Sequence, residues 1–440
     1  MIYGEAMRAG FFCLLSILLC LFVEPAGAGE YDFAIPEAET KPWELGGRVE
    51  LRHVLHRVDT DSARYKLSYY NREPGSYTTE WRPQLELRGS YKKGLFHARM
   101  LTHHEYARVY RESEWINKIY ECSVSLKPSA GLTLEAGKKS ILWGKGYAWN
   151  PVGFLNRPKD PDDAGLNLEG FTSIGADFIK TFSSGRLSNL AVTGLVLPVL
   201  EGIGNSALGE RGDLIHALKI YLLWYDTDLD FIFMNGPDQP ESYGFDFSKN
   251  LAENFEIHGE AALRRGVRRP VLDGAGRRTV SEDNQFSWLL GIRYLTANDI
   301  TFILEYYKNG AGYSRDELDA FFTYQHQSYQ SWLATGDAGI IRRADSITKP
   351  YYSQRNFGRD YLYLKISVKE PFDILYFNPW LAIVFNIRDK SFNLQPGMSY
   401  IPLTNLELNC RVGIPIGSSQ TEFGEKPDVV RPEIWIRYYF

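Results

Sequence analysis

The sequence predicts an all-β protein, a transmembrane antiparallel up-and-down β-barrel of about 18 strands. Three observations lead to this prediction. Segments of alternating apolar and polar residues recur along the chain, short polar turns alternate with longer connections, and the last segment, IWIRYYF at 434–440, ends on an aromatic residue. A period of two is that of a β-strand with one apolar and one polar face.

Residues 1–28 precede this pattern and have the composition of a secretory signal peptide. Arg8 is followed by an uncharged apolar run at 9–23 and by the small-residue site Ala26-Gly27-Ala28, which predicts cleavage after residue 28. A membrane anchor is the alternative, but the run is shorter than the roughly 20 apolar residues that span a bilayer. The predicted organisation is therefore a signal peptide at 1–28, a periplasmic N-terminal segment at 29–44 and an outer-membrane β-barrel at 45–440.

Composition excludes several other classes of protein. The 49 basic and 54 acidic residues nearly balance, which argues against a nucleic-acid-binding surface. After residue 28, no stretch is apolar enough to predict a transmembrane helix. Two cysteines remain, Cys122 and Cys410, too far apart in sequence for a metal-ligand pattern. We expect both to face lipid unpaired, Cys122 on the same face as Tyr120 and Val124.

The alternation defines the strands. In FEIHGEAALRR, at 255–265, Phe255 and Ile257 lie on one face while Glu256 and His258 lie on the other. Similar segments predict strands near 45–58, 79–92, 94–107, 115–127, 131–143, 171–183, 186–198, 213–225, 228–236, 242–249, 254–266, 284–296, 299–309, 358–369, 374–388, 391–401, 404–414 and 430–440.

The connections between these strands alternate in length. Short polar turns are predicted at 92–94, 128–131, 183–186, 225–228 and 296–299, and longer connections at 144–170, 199–212, 266–283, 309–357 and 415–429. A soluble β-sandwich would show the alternation of residues but would have no reason to sort its turns by length. An outer-membrane barrel has short periplasmic turns and longer external loops.

In such a barrel the apolar face points to lipid and the charged face to a water-filled lumen. The predicted lumen wall carries both charges in similar numbers, and its members are Arg48, Arg52, Glu86, Arg88, Glu256, Glu260, Arg293, Glu305, Glu407 and Arg411.

Two long loops are candidates for a functional role. Prolines stiffen the loop at 144–170, and we expect it either to fold inward and narrow the pore or to be an ordinary surface loop. Its candidate constriction residues are Lys145, Arg157, Lys159, Asp160, Asp162 and Asp163.

In the loop at 309–357, Ser314 and Glu317 form a capping box and Gly336 a stop signal. They predict a short amphipathic helix over the mouth, with an apolar stripe of Leu318, Phe321, Phe322, Tyr329, Trp332 and Leu333.

The closing strand carries a separate signal. Ile434, Ile436, Tyr438 and Phe440 share one face. This ending resembles the C-terminal signal by which bacterial outer-membrane proteins are handed to the barrel-assembly machinery. We expect the strand to pair with the first one, so that no edge is left.

The strand count and layout, with GKKSILWGKGYAWNP at 137–151 and GIRYLTANDITFILEYYKNGAGYS at 291–314, resemble porin-type barrels that include the alginate-export family. The resemblance implies an 18-stranded barrel. The alginate exporter further implies an arginine-lined lumen, whereas the wall predicted here mixes both signs, which argues against export of a polyanion.

Enzyme and metal motifs are incomplete. Residues 137–140 resemble the end of a phosphate loop but lack its spacing. Residues 226–230 begin like a calcium loop, yet Phe231 stands where glycine is required, and we interpret them as a solvated turn. His103 and His104 are adjacent in a strand and therefore face opposite sides.

We therefore predict no enzyme activity, cofactor or metal. The expected function is passive passage of small hydrophilic solutes, including saccharides, across the outer membrane. The alternative is a barrel that sheaths or docks a secretion, polysaccharide-export or electron-transfer complex. Expected partners are membrane lipid and lipopolysaccharide, the barrel-assembly machinery and the solute, with a periplasmic partner left open and no nucleic acid.

Overall fold

The strands of the chain form one closed antiparallel sheet. The computed structural model describes residues 41–440, apart from 71–74, 111, 158, 160, 162–168, 203–204 and 353–355. The predicted signal peptide at 1–28 and most of the segment at 29–44 lie outside the described residues. The strands are β1 (Trp43–Val58), β2 (Tyr77–Lys93), β3 (Phe96–Val109), β4 (Glu112–Ser129), β5 (Leu132–Lys139), β6 (Phe171–Thr181), β7 (Leu187–Pro198), β8 (Leu214–Trp224), β9 (Thr227–Gly236), β10 (Gln239–Ala252), β11 (Phe255–Leu272), β12 (Arg278–Leu295), β13 (Ile300–Lys308), β14 (Asp360–Val368), β15 (Phe377–Asn386), β16 (Ser391–Leu403), β17 (Leu406–Ile416) and β18 (Asp428–Tyr439).

Each strand pairs with its neighbours in the chain, and β18 also pairs with β1. The closing register runs from Arg48 opposite Tyr439 to Val58 opposite Asp428. The backbone of Gly47 exchanges two hydrogen bonds with that of Phe440, so the last residue continues the closing ladder. Closure leaves no sheet edge along this seam. The predicted fold class, an up-and-down β-barrel of about 18 strands, is confirmed.

The two faces of the strands differ as the alternation predicts. In β18, Ile434 and Ile436 are exposed on the outer surface, while Glu433 and Trp435, which alternate with them, are buried inside the barrel. In β12, Phe286, Trp288 and Leu290 alternate with inward residues in the same way. The barrel therefore has an apolar outer face and a polar inner face, the reverse of a soluble protein.

A β-bulge in β4 corrects one prediction. Leu101 pairs with Glu121 and Thr102 with Ile119, so Tyr120 is the extra residue. Tyr120 stacks on the inward-facing His103, with ring centroids 4.4 Å apart, and does not share the outer face with Cys122. A bulge shifts the alternation by one residue, and the sequence around Tyr120 gives no sign of it. Cys122 itself is exposed, Cys410 is partly exposed, and both thiols are free.

The connections are less regular than predicted. The chain does not form a long loop at 266–283, because β11 and β12 continue as a paired hairpin to Leu272 opposite Arg278. The arginines, glycines and proline of this stretch suggest a loop locally, but Leu272 is buried among aromatic residues of the 309–357 connection. At this end of the barrel the β3–β4, β9–β10 and β15–β16 connections are also short.

In the part of the chain that the structure describes, three α-helices lie in the connections, α1 (Ala63–Ser68), α2 (Arg315–Thr335) and α3 (Ala338–Tyr352). The predicted helix is α2, with Ser314 and Glu317 forming the capping box and Gly336 in the left-handed conformation at its C-terminus. It is 21 residues long rather than short, and Leu333 of the predicted stripe is exposed. The sequence analysis missed α3. No helix in the described part of the chain combines the length and apolarity needed to cross a bilayer.

The helices bury their apolar residues against each other and against the β11–β12 hairpin. Phe321 and Phe322 of α2 lie in one cluster with Leu272 and Tyr351. A second cluster joins α1 to α3 through Leu67, Ile341 and Ala344, with Tyr329 and Trp332 of α2 packed against it.

Candidate functional site

The chain turns into the barrel after β5. We call residues 140–157 the inserted segment. Its apolar side chains Ile141, Trp143, Val152 and Leu155 are buried in one cluster with inward-facing wall residues. These wall residues are Ile215 and Ala217 of β8, Ile232 and Met234 of β9, and Ala262 of β11. Part of the wall is apolar for this reason, since it faces the inserted segment rather than water.

Trp149 occupies a second cluster on the other side of the inserted segment. Its ring stacks on Tyr307 of β13 with centroids 5.1 Å apart and contacts Tyr361 and Tyr363 of β14. Its indole Nε1 donates a hydrogen bond to Asn356 Oδ1 at 3.0 Å. The inserted segment therefore packs on inward-facing residues of strands from β8 to β14.

The wall carboxylate of Glu260 anchors the backbone of the inserted segment. Oε1 of Glu260 accepts hydrogen bonds from the backbone N–H groups of Lys145 at 2.6 Å and Gly146 at 2.7 Å. Oε2 accepts one from the Val152 N–H at 3.2 Å, and Asn150 Nδ2 donates to Oε1 at 2.9 Å. Glu260 is 3% exposed. A buried carboxylate is stabilised by several such donors, and they in turn fix the path of the chain.

Glu305 of β13 forms a second anchor, separated from Glu260 of β11 by strand β12. It accepts the N–H groups of Tyr147 at 2.5 Å and Ala148 at 2.8 Å, and its Oε1 lies 2.9 Å from Nε2 of His258. Glycine is needed at position 146, since a Cβ there would collide with the Trp149 carbonyl oxygen. The backbone N–H groups of the four consecutive residues 145–148, and that of Val152, thus donate hydrogen bonds to two wall carboxylates.

The three candidate cations of the loop are all engaged by neighbours. Lys145 Nζ lies 3.1 Å from Asp230, and Arg157 donates from Nε to the Glu169 carbonyl oxygen at 3.0 Å. Lys159 donates to the Gly146 carbonyl oxygen at 2.6 Å, and burial lowers the pKa of its ammonium. The other candidates, Asp160, Asp162 and Asp163, lie outside the described residues. The constriction role of this set stays a prediction.

All ten predicted wall residues lie at inward register positions of their strands. Arg48 and Glu86 form an ion pair at 2.8 Å. The carboxylate of Glu433 forms two ion pairs, one with Arg52 at 2.8 Å and one with Arg411 at 2.6 Å. The remaining predicted wall residues divide between exposed and paired positions: Arg88 is exposed, Arg293 lies 3.8 Å from Glu256, Glu407 lies 3.4 Å from Arg437, and Glu260 and Glu305 anchor the inserted segment.

The strands β1–β4, β17 and β18 carry most of this ion-pair network. His103, which is buried, lies between Glu86 at 3.1 Å and Glu105 at 3.2 Å. Trp435 lies beneath the guanidinium groups of Arg52 and Arg411. The charged part of the wall therefore differs from the apolar part that contacts the inserted segment.

The sequence analysis missed two buried acids. Asp230 and Asp246 face each other across β9 and β10 and are both fully buried, with Lys145 and Lys219 nearby. The interpretation of residues 226–230 as a solvated turn is wrong for Asp230, because β9 begins at Thr227 and places Asp230 inward. The usable signal was alternation, which continues from Asp228 through Asp230 to Ile232. Among the described residues, no group of three His, Cys, Asp or Glu side chains is arranged to hold a metal.

No family model matches the sequence, and no curated protein matches it. Solved structures match over 90% of this chain. OccAB1 of Acinetobacter baumannii is 11% identical, with a TM-score of 0.52 and 96% of its chain covered. OccK11 (OpdR) of Pseudomonas aeruginosa is 12% identical, with a TM-score of 0.50 and 95% covered. The outer membrane protein OprD of Pseudomonas aeruginosa is 9% identical, with a TM-score of 0.50 and 93% covered. At identities this low, the structural matches establish likeness of fold alone. The chain has the porin-type β-barrel fold.

Proposed function

We propose that the protein is a porin-like channel of the outer membrane through which hydrophilic solutes pass passively. The observation that carries this proposal is the inserted segment, whose backbone is tied to Glu260 and Glu305 inside a barrel with an apolar outer face. The outer face suits lipid and the charged inner face suits water. A polypeptide segment fixed within the lumen narrows it and limits the size of solute that can pass.

The alternative, a barrel that sheaths or docks a secretion, polysaccharide-export or electron-transfer complex, is less well supported. A partner threaded through the barrel would have to displace the inserted segment. That displacement would break the hydrogen bonds to both carboxylates and expose Trp149 and Val152, which are 5% and 0% exposed. Removing buried donors from a carboxylate and exposing apolar side chains both cost free energy.

Conductance in a planar lipid bilayer tests the proposal. The purified protein should give discrete single-channel steps without any added partner. Replacing both anchors, in Glu260→Gln with Glu305→Gln, should raise the mean conductance and add rapid fluctuations, because each charge-assisted hydrogen bond contributes about 1.5–3 kcal/mol. Glu282→Gln is the matched control, since Glu282 is exposed on β12 and pairs with Arg268. Silence of the assembled wild-type protein would contradict the proposal.

The solute class is a further part of the proposal. We propose that saccharides are among the solutes that pass. Swelling of liposomes in neutral sugars of increasing size measures their rate of passage and the size limit of the channel. A size cutoff that rises in the double anchor variant and stays unchanged in Glu282→Gln would support a constriction at the inserted segment. The resemblance to the alginate-export family, the signal peptide and the assembly-machinery partner remain predictions.

A further inference from the structure

A cavity of about 380 Å³ lies in the barrel wall beside β12, and no residue of the inserted segment lines it. β12 pairs with β11 as far as Arg278, but β13 ends at Lys308, opposite Trp288. In the described residues, therefore, the β12 backbone before Trp288 has no strand partner on the β13 side. The cavity occupies the resulting notch, and we call it the wall notch.

The wall notch is lined from both faces of the sheet. Gln285 is inward-facing and 4% exposed, whereas Phe286 faces outward and is 55% exposed. Just below Lys308, the outward-facing rings of Trp288 and Tyr306 lie 4.9 Å apart. Paired aromatic rings of this kind mark the level of the membrane interface in barrels. The notch therefore opens at the height where lipid headgroups lie.

The lining of the wall notch is positively charged. Arg269, Lys308 and Arg359 line it, with Asp283 as its one lining carboxylate. The carboxylates that pair with these cations are Glu317, which lies 2.7 Å from Arg269 and 3.7 Å from Arg359, and Asp360, which lies 2.9 Å from Lys308. Asp360 also pairs with Arg388. With Asp283 counted, four cations stand against three carboxylates, which leaves one positive charge in excess.

Two donors at the wall notch have no acceptor among the residues that the structure describes. They are Nη1 of Arg269 and Nε2 of Gln285, both shielded from solvent. A buried N–H group without an acceptor is destabilising, so a ligand that supplies an acceptor to these two donors would gain binding free energy.

We propose that the wall notch binds a phosphate monoester. A phosphate monoester brings three acceptor oxygens and up to two negative charges. Three cationic side chains and the two donors without an acceptor match it better than they match a singly charged carboxylate. Two sources present this group at the interface, the phosphorylated headgroup of an outer-leaflet glycolipid and a soluble sugar phosphate. The proposal does not depend on conductance, so it can succeed or fail separately from the channel function.

Native mass spectrometry of the full chain in nonionic detergent tests the site. The probes are diphosphorylated lipid A, the same lipid after enzymatic removal of its phosphates, and glucose 6-phosphate. Wild-type protein should bind lipid A at least tenfold more tightly than the dephosphorylated lipid. Lys308→Gln combined with Arg359→Gln should abolish most of that preference. Arg268→Gln is the control, because Arg268 lies next to Arg269 on the same hairpin but is exposed and outside the notch.

A second variant tests the site in case the double variant Lys308→Gln with Arg359→Gln does not fold. Asn284 accepts a hydrogen bond from the Gly266 N–H through Oδ1, and Asn284→Asp keeps that acceptor while adding a negative charge at the notch. It should weaken phosphate binding without loss of heat-modifiable migration. If glucose 6-phosphate displaces lipid A, the site takes soluble phosphate esters; if it does not, the site requires the lipid headgroup. Equal binding of both lipids, or wild-type binding by both variants, would overturn the proposal.

Discussion

At the scale of the residue, position within the alternation decides which solvent a side chain meets. Cys122 pairs across the sheet with Met100, and Cys410 with Met398 and Ile434, all on the outer face. Tyr120, only two residues from Cys122, faces the lumen because of the bulge. One extra residue in a strand is therefore enough to turn a side chain from the lipid-facing surface to the interior of the barrel.

Chemical labelling of the two thiols therefore shows directly whether they face lipid or the lumen. In proteoliposomes, a lipid-soluble maleimide should label Cys122 and Cys410, whereas a charged, membrane-impermeant maleimide should leave both unlabelled. Arg88→Cys, made in a chain without the two native cysteines, supplies the opposite control, since Arg88 is exposed on the inner face and should react with the charged reagent. Rapid labelling of the native thiols by the charged reagent would mean that the faces are inverted.

At the scale of the element, buried carboxylates position connections against the barrel. Glu422 lies in the connection from β17 to β18, is 1% exposed and accepts hydrogen bonds from Tyr361 Oη and Asn386 Nδ2, both at 2.6 Å. Burial raises the pKa of Glu422 to about 7, the charge of Asp389 also acts to raise it, and Lys426 acts to lower it. The neighbouring Phe423 is buried in the Trp149 cluster.

Docking of this connection should consequently depend on pH. Because the docked carboxyl has a pKa of about 7, above its ordinary value of 4.5, the docked form binds more protons than the undocked form between these two values. Docking is therefore strongest below pH 4.5 and weakens as the pH rises through 7. Amide hydrogen exchange at 417–427, corrected for its intrinsic pH dependence, should rise about tenfold between pH 6 and 8.

Glu422→Gln is the matched variant for that measurement, because glutamine keeps the shape and stays neutral. Exchange at 417–427 should then lose its dependence on pH, while exchange at 59–70, in the connection that contains α1, should behave alike in both proteins. A pH profile that is the same with glutamine as with glutamate would show that another group controls docking.

At the scale of the whole molecule, closure of the barrel depends on its last strand. Phe440 is hydrogen bonded to Gly47 through its backbone, and its ring sits over the space where a Gly47 Cβ would lie. Deleting Phe440 should leave synthesis and export intact but reduce the yield of assembled barrel, because the closing ladder and the predicted recognition signal both lose their end. Heat-modifiable migration measures assembly, and deletion of the exposed Phe372 from a turn is a control for loss of one aromatic residue. Full assembly without Phe440 would contradict the prediction.

Ion selectivity is also a property of the whole molecule. Inward Arg and Glu residues nearly cancel over a water-filled pore, where screening acts within about 8 Å, so charges at the narrowest place should dominate. Replacing Lys145, Arg157 and Lys159 together by Gln should shift the reversal potential in a salt gradient toward cations. Loss of Lys145 also leaves Asp230 and Asp246 with one cation fewer. The same change at Arg48 and Arg52 should shift the potential less; equal shifts would locate the constriction elsewhere.

Sequence alone determined the features that depend on local pattern. A period of two fixed the number of strands and the facing of residues such as Glu260, Arg411 and Ile434, because alternation is imposed by the geometry of each strand itself. The capping box of Ser314 and the stop at Gly336 were likewise readable, since both interactions lie within a few residues of the helix end.

Tertiary structure alone decided the path of the inserted segment, the extension of β11 and β12, and the bulge at Tyr120. The donors at Lys145 and Gly146 meet Glu260, which is more than 100 positions away in the chain, and Leu272 is buried by residues of the 309–357 connection. Local propensity cannot report such partners, because the free energy that fixes these backbones comes from contacts that exist only once the barrel has closed.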